Sequence, residues 1–349
     1  MKIAQIAPLV ESVPPSLYGG TERVVSWLTE ELVRQGHNVT LFASGDSRTA
    51  ARLEAIVPRA LRLDGIHNSL PYNIIMLDRV VACQQDFDVL HFHIDFFHYP
   101  LFRGMAHRTL TTLHGRQDLP ELPDIYRAFP HMPLVSISNS QRLPVPPVNW
   151  RGTVAHGLPA GLLRQGAGKG GYLAFLGRIC AEKGILPAIE IARRAGLPLM
   201  VAAKVDPADK EYFELHVKPV LEKSPHVTFI GEIDDGRKQQ FLGNAKALLF
   251  PISWPEPFGL VLIESMACGT PVIAFNSGSV PEIMEEGVTG FVVDTVEEAV
   301  ASVRKLDGLS RARIRSRFED RFSAETMARA YVKIYGNLTA EETVAVAAE

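Results

Sequence analysis

Three cysteines in 349 residues, Cys83, Cys180 and Cys268, are too few and too scattered for a disulfide framework, and no metal-ligand spacing joins them. They read as reduced thiols. No apolar run approaches the roughly 18 residues a membrane-spanning helix needs. The opening Met1-Lys2-Ile3-Ala4-Gln5-Ile6-Ala7-Pro8 is too short an apolar stretch for a signal peptide. A cytoplasmic location is therefore expected. Blocks of like charge and low-complexity tracts are missing, and a formal net charge of −3 gives no general attraction to nucleic acid. The glycines after the first apolar run do not form G-x-G-x-x-G, so a dinucleotide is not indicated.

What remains is an ordinary globular composition, 46% apolar and 21% charged, in a chain long enough for two domains. Lys2–Pro8 reads as a strand, a loop carries Gly19 and Gly20, and a helix is expected from Thr21 to about Gln35. Thr21 serves as a plausible N-cap, Gly36 as the stop, and Val24, Val25, Leu28, Leu32 and Val33 as the buried stripe. Strands follow at Asn38–Ser44, Asp88–His93, Arg108–Leu113 and Leu134–Ser138, with a helix near Tyr72–Gln84. Strands separated by helices imply a parallel, doubly wound sheet, whose ligands gather at the C-terminal strand ends. That rule selects Gly19–Thr21, His91–Asp95 and His114–Gln117. A metal at His91, His93 and His114 lacks a carboxylate or cysteine at ligand spacing, so local hydrogen bonding is the plainer reading.

The stretch from Gly161 to Gly171 holds five glycines and little apolar content, the composition of a linker. A second alternation begins at Tyr172–Leu176, with strands also expected at Pro198–Lys204, Val227–Gly231 and Ala245–Ile252 and a helix near Ala208–Glu222. The first of these strands runs into Gly177-Arg178, and Glu182-Lys183-Gly184 opens the next helix. Two cations five positions apart at a strand-to-helix turn suit a diphosphate: Arg178 grips oxygens bidentately and Lys183 adds a point charge.

Around residues 250–282 the chemistry concentrates. Pro255 and Pro257 force an extended loop, and Gly259–Cys268 reads as a short helix closed by Gly269 before a strand at Pro271–Phe275. Glu256 lies in the loop and Glu264 inside the helix. Between them the N–H groups of Phe258, Gly259, Leu260 and Val261 form a helix N-terminus, which suits a phosphate. Carboxylates on either side suit hydroxyls, as a sugar and a ribose present them.

This string, with Glu256 and Glu264 eight apart around Pro-Phe-Gly-Leu and then Gly-Thr-Pro-Val, resembles the donor loop of the retaining GT-B glycosyltransferases of the family-four group, glycosyl transferases group one. Gly177-Arg178 with Glu182-Lys183-Gly184 resembles the same family's diphosphate motif, and Thr111-Thr112-Leu113-His114-Gly115 its strand-end histidine. The resemblance implies two Rossmann-like domains with parallel sheets facing an interdomain cleft: an acceptor-binding domain over 1–160, a linker over 161–171, a donor domain over 172–322, and over 323–349 a helix crossing back, with a tail. It implies transfer of a hexosyl group from a nucleotide diphosphate sugar, a UDP-sugar first, with retained configuration and without metal or other cofactor. Catalytic roles fall to His114, Arg178, Lys183 and Glu256. Donor contacts fall to Gly20, Arg178, Lys183, Glu256, Phe258, Gly259, Leu260, Val261 and Glu264, and acceptor contacts to Glu22 and His93. Where the family has Asn-Gly this chain has His156-Gly157, a departure that leaves the role of His156 open.

Residues 1–150 hold 13 Lys and Arg against 14 Asp and Glu, and Glu22, Glu30 and Glu31 crowd one helix. That balance does not attract an anionic membrane, so a soluble sugar or small metabolite is the expected acceptor, with the loop Val10–Tyr18 able to close over it. The competing readings are a GT-B phosphorylase, a sugar-nucleotide epimerase, a clamshell binding protein and a non-catalytic nucleotide-sugar binder. Lost Glu or Arg/Lys positions would mark the last, and all are present.

Overall fold

The computed structural model describes residues 1–16 and 19–348, and the chain divides into two compact units. The first comprises Met1–Gly157 with Ala324–Glu349, the second Leu158–Ser323.

In the first unit β1 (Lys2–Ile6), β2 (Asn38–Ser44), β3 (Arg52–Val57), β4 (Val89–Phe92), β5 (Thr109–Thr112), β6 (Leu134–Ser136) and β7 (Trp150–Thr153) form one sheet in the order β3-β2-β1-β4-β5-β6-β7. Every pairing is parallel. The second unit repeats the plan with β8 (Leu173–Arg178), β9 (Leu199–Lys204), β10 (Val227–Gly231), β11 (Ala247–Phe250), β12 (Val272–Phe275) and β13 (Gly290–Val293) in the order β10-β9-β8-β11-β12-β13. Both are the doubly wound order, in which strand direction of travel reverses next to the first strand. The two switch points lie between β1 and β4 and between β8 and β11. Helices cover both faces because the central strands are apolar throughout; β11, Ala-Leu-Leu-Phe, is buried along its whole length.

The helix Gly20–Arg34 buries Val24, Val25, Leu28 and Leu32 as its spacing requires. It starts one residue before the expected Thr21, capped by Gly19 with no side-chain bond, so Thr21 is not the N-cap. The edge strand β3 was not foreseen, since Arg52-Leu53-Glu54-Ala55 mixes charge with apolar residues and buries little. The far edge of the first sheet is the short strand Trp150–Thr153. The helix expected at 208–222 is broken by a π turn at Phe213–Val217, just ahead of Pro219, which cannot donate to the turn before it.

The glycine-rich stretch 161–171 belongs to the second unit and is not a free linker. Gly166, Gly168 and Gly170 donate to the carbonyls of Cys268, Gly243 and Asn244. From the helix Arg311–Arg321, Arg311 donates to the carbonyls of Gly166, Gly243, Ala245 and Cys268, and Arg315 to those of Ala160, Leu163 and Ala267. Two guanidinium groups thus supply the order that apolar side chains would otherwise give. The long helix Ala324–Ala348 returns to the first unit, where Tyr331 and Tyr335 are fully buried.

Candidate active site

At the second unit's switch point, Arg178 ends β8, and the loop after β11 carries Glu256. Arg178 Nε lies 3.2 Å from Asp209 Oδ2. Lys183 donates to Glu256, and its ammonium sits 5.0 Å from the Trp254 ring centroid. The two loops touch through backbone as well: Ser253 N–H donates to the Glu182 carbonyl at 2.9 Å. Gly184 adopts φ +75°, and a Cβ there would stand 1.9 Å from the Pro251 carbonyl oxygen. Only glycine lets the cation turn approach the donor loop so closely.

The expected helix N-terminus is present as Leu260–Ala267, capped by Gly259. Leu262 N–H already donates to the Gly259 carbonyl at 3.0 Å, and the N–H groups ahead of it lie where a helix start has no intrahelical acceptor, which suits an anion. Phe258 is buried, so its ring serves packing and only its backbone could meet a ligand. Glu256 is held from behind by the turn 276–279. Ser279 N–H donates to the Glu256 carbonyl, Ser279 Oγ to that of Phe258 and Ser277 Oγ to that of Trp254. A side chain at Gly278, φ +58°, would strike the Glu256 backbone at 2.4 Å. Glu264 is 5% exposed and accepts from Lys238 Nζ at 2.6 Å through Oε1. Lys238, itself buried and 3.2 Å from Asp235, is a partner of Glu264 that the motif string did not reveal. Its signal is a lysine inside a segment otherwise reading as a solvated helix.

At the first unit's switch point, Gly19 and Gly20 follow β1 and open the helix on which Glu22 is buried. Burial raises the Glu22 carboxyl to about 7, with the Glu11 charge adding to the rise. Leu17 and Tyr18, part of the loop expected to close over an acceptor, lie outside the described residues.

His93 and His114 meet, as strand-end residues of β4 and β5: His93 Nδ1 is 2.8 Å from His114 Nε2, and His93 Nε2 is 2.7 Å from Gln5 Oε1. Gln5 Nε2 lies 3.2 Å from Tyr335 Oη and 3.4 Å from His91 Nδ1. His91 reaches Tyr335 Oη at 2.7 Å and Thr112 Oγ1 at 2.8 Å, and Thr112 reaches Tyr331 Oη at 2.9 Å. His156 stacks on His114 with centroids 5.2 Å apart. Burial lowers all these imidazoles, His114 to about 3, and His91, His93 and His156 well below their usual range. They are neutral. No group of three or more His, Cys, Asp or Glu among the described residues is arranged to hold a metal.

Sequence reasoning passed over Gln5, a fully buried amide in an apolar strand. It also passed over the strain at Asp95, which adopts φ +51° two residues beyond His93 and whose carboxyl burial raises to about 6.

The paired doubly wound units are the GT-B fold. A glycosyltransferase of avilamycin A biosynthesis, AviGT4, superposes with a TM-score of 0.75 at 24% identity, over 97% of this chain and 98% of that one. The Anabaena protein HepE, solved with UDP and glucose, gives 0.70 at 18% identity, over 97% of this chain and 100% of that one. Residues 165–321 match the model of the glycosyl transferases group 1, and residues 18–142 that of glycosyltransferase family 4. The two matches, one in each unit, fit a group 1 GT-B family. A phosphatidyl-myo-inositol mannosyltransferase of Propionibacterium freudenreichii is 36% identical over 89 residues, 25% of this chain and 23% of that protein. The chain matches less than half the length of the curated relatives found first. No helix among the described residues is long and apolar enough to cross a membrane.

Proposed function

We propose that the protein is a retaining hexosyltransferase that takes its sugar from a UDP-sugar and delivers it to a hydroxyl of a soluble acceptor. The observation that carries this reading is the gathering of Arg178, Lys183, Glu256 and the N-terminus of the helix Leu260–Ala267 at one switch point. Arg178, Lys183 and the first-turn N–H groups near Val261 balance the charge that develops on the departing diphosphate, which is electrostatic catalysis without a metal. Glu256 holds hydroxyls of the transferred sugar and Glu264 those of the ribose. On the first unit Gly20 lies near the donor phosphates and Glu22 serves the acceptor. His93, expected at the acceptor, has both ring nitrogens engaged by Gln5 and His114 and acts through His114, which takes a hydrogen bond from the sugar. The bond from the anomeric carbon to the phosphate oxygen breaks while the acceptor oxygen bonds to that carbon on the same face. The acceptor's proton passes to the leaving phosphate. HepE, whose structure holds UDP and glucose, supports the choice of donor.

One observation favours a second reading, a lipid-linked acceptor: Leu70, Ile74 and Ile75 stand exposed on the helix Leu70–Cys83. The mannosyltransferase relative is named for a phosphatidyl-inositol substrate.

Nucleotide diphosphate release across a panel of donors and acceptors, with the anomeric configuration of the product read by NMR, tests the proposal. Transfer with retention and in excess chelator is expected. Phosphorolysis, epimerisation without transfer, or donor binding with no turnover would each overturn it.

A further inference from the structure

His114 has one ring nitrogen accounted for and one not. Nε2 meets His93, while Nδ1 is buried with no hydrogen-bond partner among the described residues. Which of them carries the proton decides what the residue can do, and the neighbours fix that in sequence. The Gln5 amide nitrogen faces Tyr335 Oη and His91 Nδ1, so its oxygen faces His93 Nε2. An amide oxygen can only accept, so His93 must donate from Nε2. A neutral imidazole has one N–H, which leaves His93 Nδ1 an acceptor and makes His114 Nε2 the donor. His114 Nδ1 is then a bare lone pair.

The far side closes without conflict. Tyr335 Oη donates to His91 Nδ1 and accepts from Gln5, while His91 Nε2–H donates to Thr112 Oγ1. The reversed amide would turn every bond between Gln5 and His114 around and leave a buried N–H at Nδ1 without an acceptor. An orphaned buried donor is rarer and costlier than an under-used acceptor.

The geometry points to a relay, Gln5 to His93 to His114, that holds His114 as a hydrogen-bond acceptor at Nδ1 and so selects a ligand presenting a hydroxyl there. Gln5 and His93 are positioning residues in this relay. His114 cannot act as a general acid in this state; it takes a hydroxyl proton into a hydrogen bond and disfavours an analogue lacking that hydroxyl, because the lone pair then stays buried and unmet. The inference rests on the transferase reading for what the hydroxyl belongs to, but the tautomer itself does not.

Long-range 1H–15N correlation on protein labelled with 15N-histidine reads the tautomer directly, with His114→Asn assigning the signals. At pH 7 His114 is expected to show a protonated Nε2 and a bare Nδ1. A proton on Nδ1, or a doubly protonated ring, would overturn the relay with no variant needed. In Gln5→Met, which removes the acceptor and keeps the volume, His93 and His114 are expected to populate both tautomers. An unchanged His114 spectrum there would overturn the relay as well. Turnover in Gln5→Met is expected to fall about tenfold, the scale of one hydrogen bond, with KM for the nucleotide sugar changed less. A protein with the expected tautomer but no sugar transfer sinks the function and leaves the relay; an active protein with the opposite tautomer does the reverse.

Discussion

Lys183 donates a hydrogen bond to Glu256, so the cation assigned to the diphosphate and the carboxylate assigned to the sugar neutralise each other across two loops. On the proposed assignment, a diphosphate at Lys183 competes with Glu256 for the ammonium and releases the carboxylate toward hydroxyls. Phosphate charge and sugar contact are thereby coupled through one ion pair.

The coupling gives variants of opposite sign. Glu256→Gln frees Lys183, so free UDP is expected to bind a few-fold tighter, about the worth of a partly exposed pair. Its turnover is expected to fall by about two to four powers of ten. Lys183→Met loses both affinity and turnover. Calorimetry with UDP beside steady-state kinetics checks this; weaker UDP binding in Glu256→Gln would contradict the competition.

The second pair behaves differently because it is buried. Lys238→Met strands the Glu264 carboxylate, which is expected to cost about 3–5 kcal/mol. Combining Lys238→Met with Glu264→Leu removes both charges and is expected to recover most of that stability. Nucleotide binding is not expected to return, since the ribose has lost its acceptor. Chemical denaturation and UDP calorimetry on the three proteins separate the roles, and full UDP affinity in the double variant would remove Glu264 from the donor site.

Local pattern carried the fold a long way. Apolar strands followed by glycine turns and periodic helices imply doubly wound sheets, and the rule about strand ends selected Gly19–Thr21, His91–Asp95 and His114–Gln117 before any coordinate. Contacts distant in sequence were hidden. The glycines of 161–171 look like a linker until Arg311 and Arg315, well over a hundred positions away, are seen holding their carbonyls. Gln5 reads as a flaw in an apolar strand until Tyr335 arrives from the last helix. Lys238 shows its purpose only beside Glu264. Each is a side chain whose partner is polar and remote, which hydrophobic periodicity cannot report.

Glu22 supplies a pH dependence. Burial raises its carboxyl from the ordinary 4.5 to about 7, so between those values the folded chain keeps a proton that the unfolded chain releases. Stability from this group is therefore present at acid pH, declines as pH rises from 4.5 toward 7, and is gone above; the loss is on the order of 3 kcal/mol. Glu22→Gln removes the ionisation. It is expected to raise Tm at pH 8 and to leave it nearly unchanged at pH 4. Equal shifts at both pH values would mean that the carboxyl does not titrate in that range.

The choice between a soluble and a lipid-linked acceptor can be tested at the surface of the first unit. Leu63, Leu70, Ile74 and Ile75 are 57, 47, 57 and 51% exposed, the last three on one helix, and a bilayer could take up such apolar side chains. Covering their exposed halves is worth roughly 1 kcal/mol apiece, about 4 kcal/mol together, and that is the scale of millimolar binding. Charge does not add to it. Arg59 is paired with Asp64 and Arg62 with Glu11 at 2.8 Å, and residues 1–150 are close to neutral. A single weak apolar contact without a basic patch does not anchor a protein to membrane. Co-sedimentation with vesicles containing anionic lipid is therefore expected to leave the protein in the supernatant at physiological salt, consistent with a soluble acceptor. Pelleting that persists at high salt and is lost in Leu70→Ser with Ile74→Ser would assign these side chains to lipid, and the acceptor with them. Pelleting abolished by salt would point instead to a basic face that the paired arginines do not account for, and would equally overturn the soluble reading.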